Sequence, residues 1–332
     1  MTAAEVVEQS LVEVEAGDEI IWWESEGTAV RAALNEHFGA EIPGGELPES
    51  PDPAAMRAQL RAAAPRLTAI MDRVSAAFAD GAASVLVPSL GVAGADPEDQ
   101  RTALYTVAAM LGDVMANHPD ESVVWDVRNR ALEMANRPKA SDSDRAAGYH
   151  TDAGYLRVPP KYFLLYAAHA ATCGGGISLL RDGRTLKRQL LETEEGREAV
   201  AVLSRNVPRW IPSKYGDVSY AEPDGFQYTP VIGEKPMWRW TPGRTRPGSK
   251  RWGEARPSDE LVARDPDYSA DKIIAALETV SKVLKNGTDE IRLPVATDGL
   301  LVIDNHLALH GRTAFKDQQR CYLRIRFHEA AN

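Results

Sequence analysis

Cysteine is nearly absent: Cys173 and Cys321 are the only two in 332 residues. A disulfide-built fold is thereby excluded, and a reducing, cytoplasmic setting is expected. No apolar run reaches the roughly 18 residues that a membrane-spanning helix needs, so no membrane association is expected. The first ten residues carry Glu5 and Glu8 without a basic stretch and do not read as a secretory signal. Positive charge is in deficit, with 38 Lys and Arg against 48 Asp and Glu and a net charge of −10. A general nucleic-acid binder needs a basic footprint, which this balance does not supply. Internal repeats and low-complexity tracts are missing. So are the P-loop and dinucleotide fingerprints, which leaves Gly174-Gly175-Gly176 as a tight turn rather than a phosphate cradle.

What is present reads as a folded protein, 44% hydrophobic and long enough to bury a sizeable core. The first third, roughly 1–120, is mostly helical by periodicity, over 27–38, 54–80 and about 98–117. Strands are expected at Glu19 to Trp23 and Ser84 to Val87, and 43–53 (PGGELPESPDP) reads as a surface loop. Character changes near residue 146. Short β-like runs then alternate with Gly and Pro, at Tyr162–His169, Ile177–Leu180, Gly299–Ile303 and Cys321–Phe327, interrupted by helices near 185–204 and 270–285. The stretch 205–265, rich in Pro, Gly, Trp and Arg, reads as a functional loop or lid. The whole is expected to be one domain with a helical N-terminal extension.

The last strand alternates sharply. Arg320, Tyr322, Arg324, Arg326 and His328 share one face, and Cys321, Leu323, Ile325 and Phe327 the other. Three arginines on one face are costly to bury without anions, so the row is either solvated or has anions to meet.

His150-Thr151-Asp152 places two metal-ligand types two residues apart, so that on extended backbone both reach the same side. Such a pair plus a distant His makes the facial triad that holds iron(II) with positions open for other ligands. Alone the pair is a weak signal. Seven His and 48 acidic residues give about one His-x-acid match by chance. A second match, His118-Pro119-Asp120, follows a helical segment and reads as a turn or cap.

Context separates the two. From His150 to Gly183 the chain reads HTDAGYLRVPPKYFLLYAAHAATCGGGISLLRDG, and from Asp304 to His328 DNHLALHGRTAFKDQQRCYLRIRFH. The HTD triplet, the Pro-Pro, the Gly-Gly-Gly-x-Ser-Leu-Leu-x-Asp-Gly run and DN-x4-HGR followed by Arg-x-x-x-Arg occur in one order over about 146–328. Together they resemble the taurine-dioxygenase-like and clavaminate-synthase-like branch of the Fe(II)/2-oxoglutarate oxygenases. That resemblance implies an α+β fold with a mainly β core, a double-stranded β-helix (jelly roll, cupin-like), flanked by helices. It implies iron ligands His150, Asp152 and His310, with His310 preferred over His306 because the family's ligand directly precedes Gly-Arg. It implies that Arg320 pairs with the far carboxylate of 2-oxoglutarate, a task suited to a planar guanidinium fork. Ser178 would assist that carboxylate, and Arg324 would support it or bind a substrate carboxylate. Ile177 stands where the family often has an acidic or polar residue. Arg326 finds no such role and reads as a surface or structural ion pair. The carboxylate of Asp152 disfavours halogenation.

The implied reaction consumes 2-oxoglutarate and O₂, releases succinate and CO₂, and oxidises an unactivated C–H bond, most simply by hydroxylation, with desaturation or ring closure as alternatives. A small carboxylate-bearing metabolite, such as a free amino acid or natural-product intermediate, suits the surplus arginines. An Ala- and Arg-rich composition suits specialised metabolism, antibiotic biosynthesis included. Candidate substrate contacts are Tyr155, Arg209, Trp210, Tyr215, Trp238, Arg239 and Trp240. Trp-Arg-Trp either stacks on a ligand and clamps a carboxylate or packs the lid against the barrel. Two other readings stand beside this one. A zinc hydrolase or lyase could use the same ligands, and a non-catalytic metal-binding barrel could retain them. The first leaves Arg320, Arg324 and Ser178 without a common purpose, and the complete ligand set with a co-substrate arginine argues against the second.

Overall fold

The computed structural model describes residues 10–39, 47–116, 122–130, 142–211, 221–234 and 237–331. A short strand, β1 (Leu11–Glu13), leads through a 3-10 turn (Gly17–Ile21) into α1 (Trp22–Phe38). The strand expected at Glu19 to Trp23 does not form. Four consecutive apolar residues carry no period of their own, and Trp22 and Trp23 become the buried first turn of α1. The single helix expected over 54–80 is two, α2 (Pro53–Ala63) and α3 (Pro65–Ala79). Pro65 has no N–H to donate and drives its predecessor out of the helical region, and Ala64 sits at ψ 72°. After β2 (Ser84–Val87) comes α4 (Pro97–Leu111), capped by Asp96, which accepts from the Asp99 amide at 2.8 Å. The helix expected to run to about 117 stops at Leu111. Gly112 is extended, and 112–115 become β3 (Gly112–Met115) on the edge of a later strand.

The second half supplies most strands: β4 (Trp125–Arg128), β5 (Ala147–His150), β6 (Tyr162–His169) and β7 (Ser178–Asp182). The helical stretch expected near 185–204 is split by Thr193, which caps the second of α5 (Gly183–Leu191) and α6 (Glu194–Leu203). The segment 205–265 holds β8 (Val207–Trp210), β9 (Phe226–Thr229) and two short helices, α7 (Pro242–Thr245) and α8 (Asp259–Ala263). Then follow α9 (Ala270–Asn286), β10 (Ile291–Leu293), β11 (Leu300–Asp304), β12 (Ala308–Arg312) and β13 (Cys321–Glu329). His118-Pro119-Asp120 and Tyr215 lie outside the described residues, as do positions 40–46 of the expected surface loop.

These elements make a sheet-rich α/β core in four layers. A seven-stranded sheet runs β1-β2-β11-β6-β13-β3, with β4 also paired to β13. A four-stranded sheet runs β10-β7-β12-β5, and β8 and β9 form a separate pair. Period-2 alternation assigns the faces. Leu323, Ile325 and Phe327 of β13 pack with Leu164, Tyr166, Leu300 and Val302 against the N-terminal helices. Each such side chain contributes about 1.5–3 kcal/mol on burial. Tyr322 points the other way, into a cluster with Phe163, Ala167, Leu180, Leu301, Ile303 and Ala308 between the two sheets. Helices α5, α6 and α9 cover the outer side of the smaller sheet with Leu309, Trp238 and Trp240. Neither face of β13 is therefore solvated, and its arginine row points into the space between the sheets. Among the described residues, no helix is long and apolar enough to cross a membrane.

Candidate metal centre

Antiparallel pairing of β5 and β12 sets His150 opposite His310. Their rings lie 4.2 Å apart, centroid to centroid. Just past β5 the chain turns, and Asp152 brings Oδ1 to 3.5 Å from His150 Nε2 and 3.7 Å from His310 Nε2. One ligand atom from each residue lies within 4.8 Å of the others.

Each group is prepared for a cation. His150 Nδ1 donates to the Gly148 carbonyl at 2.9 Å, which leaves Nε2 as the lone-pair nitrogen. Phe163 packs on the His310 ring at 4.5 Å. Burial, with His150 beside it, pushes His310 down to about 4, so the imidazole is neutral at neutral pH. For Asp152, burial favours the protonated form, but Arg324 and Arg326 outweigh it and hold the carboxyl well below its usual range. Arg324 Nη1 lies 3.0 Å from Oδ2, and Arg326 reaches the same oxygen with Nε at 3.0 Å and Nη2 at 2.9 Å. Two imidazole nitrogens and an ionised carboxylate suit a divalent first-row metal.

The backbone under Asp152 is held as firmly as the side chain. Its N–H donates to Asn305 Oδ1 at 2.7 Å, and Asn305 Nδ2 donates to the Asp152 carbonyl and to the Pro160 carbonyl, each at 3.0 Å. The Thr151 N–H donates to the Trp240 carbonyl at 3.1 Å. Ala153 then takes φ 49°, a left-handed conformation that costs a residue with a Cβ about 1 kcal/mol or more. Its neighbour Gly154 is secured by two donors, Arg209 Nη1 at 2.7 Å and Arg239 Nη1 at 3.1 Å. Arg239 also donates to the carbonyls of Leu156 and Arg157, each at 2.8 Å. Burial lowers Arg209 to about 9 and Arg239 to about 10, and both remain cationic at neutral pH. Trp238 and Trp240 pack in the outer cluster over the smaller sheet. Tyr155 lies in the same turn, with the Arg244 guanidinium 6.0 Å from its ring centroid. Trp210, at the end of β8, is half-buried.

The remaining candidates sort by position. Arg320 is buried just before β13, between the rings of Phe315 at 4.9 Å and Tyr322 at 3.9 Å. Its Nε has no partner, and among the described residues no carboxylate lies within ion-pair distance of it. Gly176, at φ 71°, leaves room for this side chain, since a Cβ there would lie 2.7 Å from Arg320 Nε. Ser178 opens β7 opposite Arg312, on the inward parity of Leu180 and His310. Arg312 donates to the carbonyls of Ser143 at 2.8 Å and Arg145 at 2.6 Å. His306 stands apart from the triad in the β11–β12 connection, with Nε2 3.1 Å from the Pro159 carbonyl. Arg326 is a buried ion pair with Asp152, so the surface alternative is corrected. Sequence reading missed Asn305 as a support and left Arg326 without a partner. Both sat in view, in the DN pair before the second histidine and in the alternating arginine row.

The family model for the taurine catabolism dioxygenase TauD, TfdA family, matches residues 31–326, and the chain belongs to this family. It is a 2-oxoglutarate-dependent dioxygenase, a class that uses iron(II), 2-oxoglutarate and O₂. Among solved structures, an asparagine oxygenase in complex with Fe(II), 2S,3S-3-hydroxyasparagine and succinate is similar with a TM-score of 0.63 at 15% identity, covering 96% of this chain and 93% of that one. The non-heme iron oxygenase OrfP in complex with Fe and alpha-ketoglutaric acid is similar with a TM-score of 0.61 at 15% identity, covering 96% and 94%. At these identities the likeness is one of fold. No curated protein matches the chain.

Proposed function

We propose that the protein hydroxylates an unactivated C–H bond of a small carboxylate-bearing metabolite, a free amino acid or a natural-product intermediate, with release of succinate and CO₂. The observation that carries this reading is the surplus of buried positive charge between the sheets. Arg320 is buried with no carboxylate in ion-pair distance among the described residues, and the Nε atoms of Arg320 and Arg324 are both buried without a partner. A dicarboxylate co-substrate would meet one of these two guanidiniums and a substrate carboxylate the other. The two facing sheets are read as a double-stranded β-helix, and the chain as one domain.

His150 Nε2, Asp152 Oδ1 and His310 Nε2 would hold iron(II). Arg320, with its unpartnered Nε, would receive the far carboxylate of 2-oxoglutarate, assisted by the hydroxyl of Ser178. Bound together, metal and co-substrate supply the oxidising power for the C–H bond. The protein's own part is orientation. The Phe315 and Tyr322 rings fix the Arg320 plane, and Arg324, whose Nε is also buried without a partner, is the guanidinium for a substrate carboxylate. Tyr155 lies in the turn beyond Asp152 and Arg239 holds that turn, so these two would shape the wall of the site, while Trp238 and Trp240 would act only through their packing in the outer cluster.

The test is an anaerobic titration of apo-protein with iron(II) and then 2-oxoglutarate. A weak visible charge-transfer band, lost in His310→Ala and Arg320→Ala, supports the assignment. No band, with zinc held tightly instead, moves the hydrolase reading to the front. Succinate release on addition of individual free amino acids then searches for the substrate.

A further inference from the structure

The metal ligands and their counter-charges sit on opposite sheets. His150 and His310 belong to the smaller sheet, with Asp152 just past β5, while Arg326 rises from β13 in the larger one. Arg326 pairs in register with Phe163 of β6, whose ring packs on His310. One cross-strand pair of the larger sheet thus touches two of the three ligands from behind. The Arg326 contact is a fork closed on a single atom: Nε and Nη2 both donate to Asp152 Oδ2, at 3.0 and 2.9 Å. Both side chains are nearly inaccessible, at 10% and 6%. Asn305 fixes the Asp152 main chain on both its N–H and its carbonyl. With the backbone clamped and Oδ2 taken, the carboxylate has one free oxygen, Oδ1, which is the one facing both Nε2 atoms.

We propose that Arg326 is a positioning residue for the metal centre: it holds Asp152 through Oδ2 so that the carboxylate meets the ion through Oδ1 alone. Arg324 reaches Oδ2 with only Nη1 and so cannot fix the carboxylate plane by itself. This inference rests on the reading of His150, Asp152 and His310 as the metal ligands.

Supporting partners of this kind, when removed, weaken metal binding about 10- to 100-fold. The experiment titrates apo-protein with cobalt(II) alone, in wild type, Arg326→Met, Arg326→Lys and Asp152→Asn, and in the two doubles that join each Arg326 substitution to Asp152→Asn. Arg326→Met keeps an apolar stem of similar reach and leaves Arg324 on the carboxylate. The expected result is a Kd for cobalt(II) raised about 10- to 100-fold in Arg326→Met, with a changed visible ligand-field spectrum. Arg326→Lys, which supplies a point charge but no fork, recovers only part of the affinity. In the Asp152→Asn background neither substitution of Arg326 weakens binding further. Cobalt(II) bound as tightly or more tightly by Arg326→Met, with an unchanged spectrum, overturns the proposal even if the apo-protein melts earlier. If Arg326→Met does not fold, the Arg326→Lys comparison decides alone: wild-type affinity and spectrum overturn the proposal, and partial affinity with an altered spectrum supports it. Failure of wild type to bind cobalt(II) at all instead removes the ligand assignment on which the inference rests.

Discussion

Asn305 is the support whose removal is easiest to weigh. Its side chain makes three buried hydrogen bonds, accepting from the Asp152 amide at 2.7 Å and donating to the carbonyls of Asp152 and Pro160 at 3.0 Å each. Truncation in Asn305→Ala removes all three, each with a net value of about 1 kcal/mol. It also strands an N–H and two carbonyls in a place with little access to water, where an unmet group costs about 1–3 kcal/mol. The strain at Ala153 remains, with fewer bonds to hold it. Counting each interaction once, as a stranded group, three at about 1–3 kcal/mol give a loss of about 3–9 kcal/mol, a large part of the roughly 5–15 kcal/mol that separates folded from unfolded protein. Asn305→Asp keeps an acceptor for the Asp152 amide but turns an oxygen toward the two carbonyls, so it is expected to lose about as much. The assay is urea unfolding of the apo-protein with a chelator present, so that metal linkage contributes nothing. A loss below about 1 kcal/mol with an unchanged urea dependence refutes the reasoning, because the clamp would then be replaceable by water.

Arg320→Ala is expected to raise the KM for 2-oxoglutarate about 30-fold or more while leaving cobalt(II) affinity within a few-fold of wild type, because a buried charge pair lost from one side costs about 2–5 kcal/mol; succinate release kinetics and the metal titration read the two effects separately. Asp298, at φ 75°, accepts from the Gly91 amide at 2.7 Å, the Val92 amide at 2.9 Å, the Tyr166 hydroxyl at 3.1 Å and Ser89 Oγ, so Asp298→Ala is expected to cost about 3 kcal/mol or more in urea unfolding. Beside the metal site, the Tyr149 hydroxyl donates to Glu290 at 2.6 Å. Partial burial works against the Glu290 carboxylate, but Tyr149 and Arg292 outweigh it and lower its pKa. A depressed folded value means stability that is present above the unfolded value, about 4.3, and is lost as the pH falls through the folded one. Tyr149→Phe is therefore expected to cost about 1 kcal/mol at pH 7 and less toward pH 3, and a deficit that stays constant across that range counts against the assignment.

The β core was largely legible because its strands alternate or run apolar between turn residues. Tyr162–His169 and Ser84–Val87 emerge with their expected bounds. The misses have local causes. Pro65 divides a helix that a continuous apolar stripe makes look single. Gly112 ends another where β13 offers an edge. At Glu19 to Trp23 a solid apolar run cannot reveal its period, and tertiary packing of Trp22 decides. The site divides in the same way. The histidines and Asp152 could be recognised from type and spacing, and the structure brings all three together. The supports of Asp152 stood in visible motifs, the DN pair and the arginine row, but their partner did not show, because it lies 153 and 174 residues away and is met through a backbone amide and a single oxygen.

That division has a physical source. A ligand must expose a particular atom, so its identity is constrained and its pattern is readable. A support must only supply the right donor at the right place, and any strand that passes behind the ligand can carry it. In this protein the passing strand is β13, whose alternation puts Leu323, Ile325 and Phe327 into the helical layer and thereby forces Arg324 and Arg326 toward Asp152. The apolar half of the pattern is what makes the basic half functional. Turning β13 over by one residue would expose three large apolar side chains to the site and drive the arginines into the helices. The packing against α4 therefore fixes the register of the charges as surely as it fixes the strand.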